Sequence, residues 1–326
     1  MTNGLFSLIV PVLDEEEILL DTRTTLGGVL DRLGMPYEVL VVDNASGDRT
    51  PELMAEVCRD DPRWKYLRLS RNFGYQNSIT AGMLAASGDA IMVIDADLQD
   101  PPEMIPRFVE LWREGHDVVY GVREKRTGES AWRIGLTRLA MRAISWLSDD
   151  VKLPPHSGDF RLISRRVRDA YALLPEGCRY VRGLIHWLGF RQVGVPYTRR
   201  GRVGGSSKVS WPFLVDFTVN AAVNFSFRPV RLFSALGLAA LALTGVAGLA
   251  WLGGHLAGRP VGLTAVHLLL LLNLGVLSGG IGVLGEYVAR THLESKRRPL
   301  WVLDYTLNLD APDGPAAGPP LRRRSA

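Results

Sequence analysis

The sequence predicts an α/β fold, a mostly parallel sheet with helices on both faces, followed by interfacial helices and two transmembrane helices. Three observations carry this. Strand-like apolar runs alternate with amphipathic stretches over residues 5–123, the pattern of strands joined by crossover helices. Leu232 to Gly254 and Pro260 to Gly285 contain no Asp, Glu, Lys or Arg, and each is long enough for a hydrocarbon core of about 30 Å. Segments 132–147 and 211–227 mix aromatic, apolar and basic or polar residues.

Taken in order, LFSLIVPVL (5–13) is a run of strand formers. DEEEILLDTRTTLGGVLDRLG (14–34) reads as an amphipathic helix with its acids in the first turn, where the helix dipole favours them. YEVLVVDNAS (37–46) is a second strand ending in a turn, and GDRTPELMAEVCRD (47–60) the next helix. WKYLRLS (64–70) leads into a loop and helix over 71–87. DAIMVID (89–95) is a fourth strand, PPEMIPRFVELWREG (101–115) a helix and DVVYGVR (117–123) a fifth strand. In parallel sheets ligands bind beyond the carboxyl ends of strands, and Asp43, Asn72 and Asp95 to Gln99 all fall there.

VIDADLQD (93–100) is a core strand that ends in carboxylates. Burying carboxylates is costly unless they are paired, hydrogen-bonded or bound to metal. Asp95, Asp97 and Gln99 alternate, so in an extended segment they project to one side. Three oxygen donors there make a seat for a hard divalent cation that carries phosphate oxygens. The competing reading is a solvated polar loop. Asp100 precedes Pro101, Pro102 and Glu103 and is expected to cap the next helix.

Other chemistries find little support. No G-x-x-x-x-G-K-[ST] and no G-x-G-x-x-G follows the first strand. Two cysteines, Cys58 and Cys178, give neither a disulfide framework nor a zinc site. His116, His156 and His186 are scattered and read as structural. The net charge of +4 is modest, and no nucleic-acid partner is expected.

Charge placement orients the spans. Arg228 and Arg231 precede the first, Arg290, Lys296, Arg297 and Arg298 follow the second, and the loop between them holds only Arg259. The positive-inside rule puts both termini and the large N-terminal domain in the cytoplasm of a multi-pass cell (inner) membrane protein. The N-terminus has no basic n-region or cleavage site, so no signal peptide is read. The alternative, a pair of buried core helices, fits poorly with stretches uncharged for so long.

Together the motifs resemble a known family. They are PVLDEEE (11–17), VVDNASGDRT (41–50), SRNFGYQNSITAGMLAASGD (70–89), DADLQDPPE (95–103), YGVR (120–123), GDFRLISR (158–165), RGLIHWLGF (182–190), GGSSK (204–208) and, after the spans, GEYVARTHLESKRRPLWV (285–302). In this order they resemble the family 2 glycosyltransferases of GT-A fold, and more closely the polyprenyl-phosphate glycosyltransferases. That group includes dolichol-phosphate mannose synthase and bactoprenol glucosyltransferase. The resemblance implies transfer of a sugar from a nucleotide sugar to a polyprenyl (undecaprenyl or decaprenyl) phosphate with inversion, for cell-envelope glycosylation.

It also implies roles. Pro11 and Glu15 line the nucleotide pocket, Asp43 accepts from the nucleobase and Arg71 lies near the nucleotide. Asp95, Asp97 and Gln99 hold Mg²⁺ or Mn²⁺ on the diphosphate. Arg123 meets the acceptor phosphate, and Asp159 faces the sugar or acceptor as a candidate base. Two departures fall on the nucleotide side: Leu13 and Asp14 stand where the family has Tyr-Asn, and Asn44-Ala45 where it has Asp-Gly.

An isoprenoid acceptor requires the site to meet the lipid bilayer. WRIGLTRLAMRAISWL (132–147) reads as a basic amphipathic helix suited to an anionic surface, or as an ordinary packing helix. WPFLVDFTVNAAVNFSF (211–227) reads as an interfacial aromatic helix. Arg133 would join Arg123 on the lipid phosphate, with Arg202 and Lys208 completing the cluster.

The expected domains are a catalytic domain (1–210), a juxtamembrane helix (211–228), a transmembrane hairpin (229–287), a cytoplasmic segment (288–309) and a disordered tail (310–326). UDP-glucose is the first donor expected; UDP-galactose, UDP-GlcNAc, UDP-GalNAc and GDP-mannose stay open. Two spans leave room for a homo-oligomer. A processive polysaccharide synthase would carry Q-x-x-R-W and more spans. A non-catalytic nucleotide-sugar binder or flippase partner would not need a complete metal seat.

Overall fold

The computed structural model describes residues 4–123, 157–177, 179–199, 228–258 and 264–309. The chain divides into two compact units, one of Met1–Glu129, Leu153–Lys208 and Arg298–Ala326, the other of Ser130–Lys152 and Val209–Arg297.

The first unit is built on one sheet. Its strands are β1 (Phe6–Val12), β2 (Tyr37–Asp43), β3 (Trp64–Leu69), β4 (Ala90–Val93), β5 (Val118–Arg123), β6 (Ser157–Ser164), β7 (Gln192–Tyr197) and β8 (Leu303–Leu307). They lie in the order β7-β5-β6-β4-β1-β2-β3-β8. β3, β2, β1 and β4 are mutually parallel, as are β5 and β7. β6 runs against β4 and β5, and β8 runs against β3. Every residue of β1 and β2 is buried, which explains why both are mainly apolar with no alternating polar face: a parallel strand covered on both faces has no solvent side.

The helices between the strands are α1 (Leu19–Leu30), α2 (Thr50–Asp60), α3 (Tyr75–Ala85), α4 (Ile105–Arg113), α5 (Arg165–Ala172) and α6 (Val181–Trp187). α1 buries Leu19, Thr22, Leu26, Val29 and Leu30, a stripe at helical spacing. α3 lies so close to the sheet that a Cβ on Gly82 would stand 2.5 Å from Ile9 and 2.9 Å from Val42. The five strands expected up to residue 123 are all present.

Three expectations are corrected here. The first helix starts at Leu19, because the acids before it face another loop instead of capping a first turn. Asp14 Oδ1 accepts from Gly47 N (2.7 Å) and Glu16 Oε2 from Arg49 N (2.9 Å). The segment after β4 is a turn and not an extended strand: Leu98 N donates to Asp95 O (3.4 Å), and Leu98 has φ 51. Asp100 does not cap: Pro101 is the N-cap of the short 3-10 turn Pro102–Met104, with no side-chain cap, and the Asp100 carboxylate is buried elsewhere.

In the second unit, α7 (Arg228–Leu256) and α8 (Thr264–Ser295) are long enough and apolar enough to cross a membrane. Only 6% and 0% of their apolar windows are buried among the described residues, where the core helix of a soluble fold is mostly buried. Asn273 Nδ2 on α8 donates to Thr244 Oγ1 on α7 (2.6 Å), and Phe233 packs on Gly279, where a Cβ would stand 2.7 Å from its ring. Small residues and a polar pair at a contact are what helices use in lipid, where apolar burial gives them no drive to associate.

Candidate active site

At the carboxyl edge of the parallel strands a cleft of about 380 Å³ opens. Pro11, Leu13 and Glu15 come from the β1 end, Asn44 from the β2 end, and Asp95 and Asp97 from the turn after β4; Asn72, Gly74, Tyr75 and Ser78 complete its wall. Pro11, Glu15, Asp95 and Asp97 therefore share one cleft. α3 begins there at Gly74 (φ 91) without a side-chain cap. Helix N-termini carry free amides and partial positive charge, which favours an anion.

Two loops frame the cleft by gripping each other. The amides of Asp14, Glu15 and Glu16 donate to Ser46 Oγ (2.9 Å), Thr50 Oγ1 (3.2 Å) and Asp48 Oδ2 (3.0 Å). Asn44 reaches the third loop, giving a hydrogen bond to Asn72 Oδ1 (2.7 Å) and taking one from Phe73 N (2.8 Å). Asp14 (φ 55), Ala45 (φ 66) and Leu98 (φ 51) are left-handed, one at each of the loops after β1, β2 and β4. Strain of this kind collects where a site must hold a fixed shape.

Asp43, expected at the nucleobase, is held at the end of β2 by its own loop and by β3. It has no exposed surface. Its Oδ1 accepts from Ser46 N (2.7 Å) and Ser46 Oγ (2.6 Å), and its Oδ2 from Tyr66 Oη and from Arg68 Nη1 (2.9 Å). A carboxylate with both oxygens so engaged holds its loop. Arg71 is exposed, lies 4.2 Å over the Phe73 ring and does not line the cleft.

Asp95 is the electrostatic centre. Tyr75 Oη donates to its Oδ1 (2.5 Å), and Arg199 Nη2 stands 3.5 Å from its Oδ2. Burial, and then the carboxylates of Asp100, Asp97 and Asp159, push its pKa up to about 6, against the lowering effect of Tyr75. Like charges crowded at a low-dielectric rim disfavour ionisation, and a cation there would relieve them.

Asp95 and Asp97 fit a hard divalent ion in donor type, both being carboxylates at one cleft. Gln99 is buried and outside the lining, and its backbone N–H donates to Asp97 Oδ1 (3.1 Å). Among the described residues no group of three His, Cys, Asp or Glu could enclose a metal. The protein thus offers two carboxylates, and phosphate and water oxygens would have to complete the shell.

A chain of polar contacts leads away from Asp95. Arg199 Nε is 3.2 Å from Asp100 Oδ1, and Tyr197 Oη donates to the same oxygen (2.5 Å). Arg123 Nε donates to Tyr197 Oη (3.1 Å), and Arg123 Nη2 is 3.9 Å from Asp100 Oδ2. Tyr197 and Arg199 were not foreseen. They sit at the end of β7, far along the chain from Asp95, and YTR (197–199) has no motif to mark it.

Asp159 lies on β6, with Gln76 Nε2 3.4 Å and Arg182 Nη2 3.5 Å from its Oδ2; its Oδ1 is buried with no hydrogen-bond partner among the described residues. Beside it Arg161 is buried, and burial lowers its pKa to about 10, so it stays charged at neutral pH. Arg133, Arg202 and Lys208, with the expected helices at 132–147 and 211–227 and the tail from 310, lie outside the described residues.

A mostly parallel sheet with an acidic D-x-D turn on the rim of a carboxyl-edge cleft defines the GT-A class of glycosyltransferase fold. The chain belongs to glycosyl transferase family 2, whose family model matches residues 7–171. It is similar to the uncharacterized glycosyltransferase YkcC of Bacillus subtilis (strain 168), 37% identical over 94% of this chain and 95% of that protein. It is also similar to the bactoprenol glucosyl transferase of Shigella phage SfV, 34% identical over 91% of this chain and 97% of that one. The prophage bactoprenol glucosyl transferase homolog of Escherichia coli (strain K12) is 32% identical over the same shares.

Proposed function

We propose that this chain is an inverting, membrane-bound hexosyltransferase that moves a sugar from a nucleotide sugar, UDP-glucose first, to a polyprenyl phosphate. The observation that carries the reading is the similarity to named bactoprenol glucosyl transferases along more than nine-tenths of both chains. The acidic cleft and the two apolar helices support it. On this reading the spans sit in the cell membrane with the sheet domain and both termini cytoplasmic, as the flanking arginines and lysines favour.

The chemistry is one displacement. An oxygen of the lipid phosphate attacks the anomeric carbon, the bond from that carbon to the diphosphate oxygen breaks, and the nucleoside diphosphate leaves. An α-linked donor gives a β-linked product. A phosphate monoester has a second pKa of about 6, so the attacking oxygen is anionic at neutral pH and no strong general base is needed. Positioning and charge stabilisation then supply most of the rate.

Pro11 and Glu15 bound the donor, and Asp43 fixes their facing loop. Asp95 and Asp97 would hold Mg²⁺ or Mn²⁺, which neutralises the departing diphosphate. Arg123 receives the acceptor phosphate, with Arg133, Arg202 and Lys208 as further cations and Arg71 near the donor. Asp159, held by Gln76 and Arg182, orients the sugar or acceptor.

The test is a panel of radiolabelled nucleotide sugars, UDP-glucose among them, given with undecaprenyl phosphate and Mg²⁺ or Mn²⁺ to membranes carrying the protein. Label from one donor is expected in the lipid extract, in a product labile to mild acid. If no donor labels lipid, the reading fails. If a donor other than UDP-glucose alone does so, only the sugar assignment fails.

A further inference from the structure

The strand that returns after the apolar helices reaches the residues that hold the cleft. Arg68 on β3 donates to Asp43 Oδ2 and, through Nη2, to the Ser46 carbonyl (3.0 Å). Tyr66 donates to the same Asp43 oxygen. Asp43 then binds Ser46, and Ser46 Oγ accepts from the Asp14 amide (2.9 Å). Asp14 stands between Leu13 and Glu15, both of which line the cleft. On the far side of β3, Asp304 Oδ2 lies 3.5 Å from Arg68 Nε, and the Tyr305 ring lies 5.7 Å from that of Tyr66.

We propose that Asp304 and Tyr305 are positioning residues for the donor cleft, acting through Arg68 and Tyr66 on the Asp43–Ser46–Asp14 clasp. The proposal rests on the reading that this cleft takes a nucleoside diphosphate sugar. Its physical basis is restraint. Arg68 is shared between a buried carboxylate on one side and a half-exposed one on the other. Without Asp304 the guanidinium gains freedom toward solvent, and the Ser46 carbonyl loses its fixed donor. Tyr66 is fully buried, and the Tyr305 ring packs against it. Truncating that ring frees Tyr66 to move its hydroxyl off Asp43. β8 itself is anchored independently: Trp301 and Leu303 are buried, Ser70 N donates to Val302 O (2.9 Å), and Asn308 Nδ2 donates to the carbonyls of Cys58 (2.6 Å) and Trp64 (3.0 Å). Side-chain changes at 304 and 305 therefore leave the strand in place.

The experiment uses the full-length protein in detergent, with UDP and GDP as calorimetric probes and donor-dependent transfer as the kinetic readout. Asp304→Ala is expected to weaken nucleoside diphosphate binding by about threefold, the scale of a half-exposed ion pair. Tyr305→Ala is expected to weaken it by about tenfold. In both, the donor KM rises while kcat stays within about twofold, the signature of lost uniform binding. Asp304→Glu restores wild-type affinity. Thr306→Ala, whose hydroxyl bonds the Leu309 carbonyl on the same segment, leaves affinity unchanged.

Wild-type affinity in Asp304→Ala overturns the proposal even if Tyr305→Ala fails to fold. So does an equal loss in Thr306→Ala, which would assign the effect to strand pairing. If wild-type protein binds neither UDP nor GDP, the cleft reading fails, and this proposal falls with it.

Discussion

Near the start of the parallel strands Glu38 is buried with donors on both oxygens: Ser7 Oγ (2.5 Å) and Ser87 N (2.7 Å) on Oε1, Lys65 Nζ (2.5 Å) on Oε2. Beyond the strand ends Asp95, Asp97, Asp100 and Asp159 gather around Arg123, Arg182 and Arg199, whose ion pairs are longer, 3.2 to 3.9 Å. The first cluster has one acid, one base and tight contacts. The second has crowded acids, a buried carboxylate oxygen with no hydrogen-bond partner among the described residues and left-handed non-glycine residues nearby. The same kind of side chain thus serves stability at one end of the sheet. At the other, acids crowd together at the cleft, where a cation can relieve them.

The most decisive way to break this contrast is to remove an acid at each end. Asp97→Ala is expected to lower transfer by about 10²- to 10³-fold, the usual cost of losing one preorganised electrostatic group. Its melting temperature in EDTA should equal or exceed that of the wild type, because a crowding charge is gone. A stability loss there would erase the distinction. Glu38→Ala should do the reverse. It strands Lys65 and Ser7 and is expected to cost about 3 kcal/mol in thermal or denaturant unfolding, while the folded fraction keeps its donor KM.

A smaller change sharpens the picture at Asp95. Tyr75→Phe removes one charge-assisted hydrogen bond, and transfer should fall by about tenfold, from roughly 1.5 kcal/mol of lost orientation, with unfolding little changed. The smallest effect concerns strain. Ala45 holds φ 66, a conformation that costs a non-glycine residue about 1 kcal/mol. Ala45→Gly is expected to recover most of that in the melting temperature if the loop keeps its shape.

What could be read from sequence follows how local the cause is. β1 and β2 are rich in apolar strand formers, so the burial of most of their residues is written in composition, while that of Ser7, Glu38 and Asp43 is not. Asp95 and Asp97 could be tied to a ligand site because a core strand ends just before them. The start of α1 could not be read: Asp14 and Glu16 look like first-turn acids until their partners, Gly47 and Arg49, are known from the fold. Asp100 failed likewise, since Tyr197 and Arg199 come from a distant strand. β6, β7 and β8 escaped because Arg161 is buried inside β6, Pro196 interrupts β7, and β8 lies beyond both apolar helices.

The position of β8 has a consequence for the order in which this protein is made. The eight strands form one sheet, yet the last is translated only after α7 and α8. β1 to β7 therefore leave the ribosome with β3 as an unpaired edge, the kind of surface that recruits other chains. Both apolar helices are thus synthesised before that edge can close, and a chain cut short ahead of them would lack the strand that covers β3.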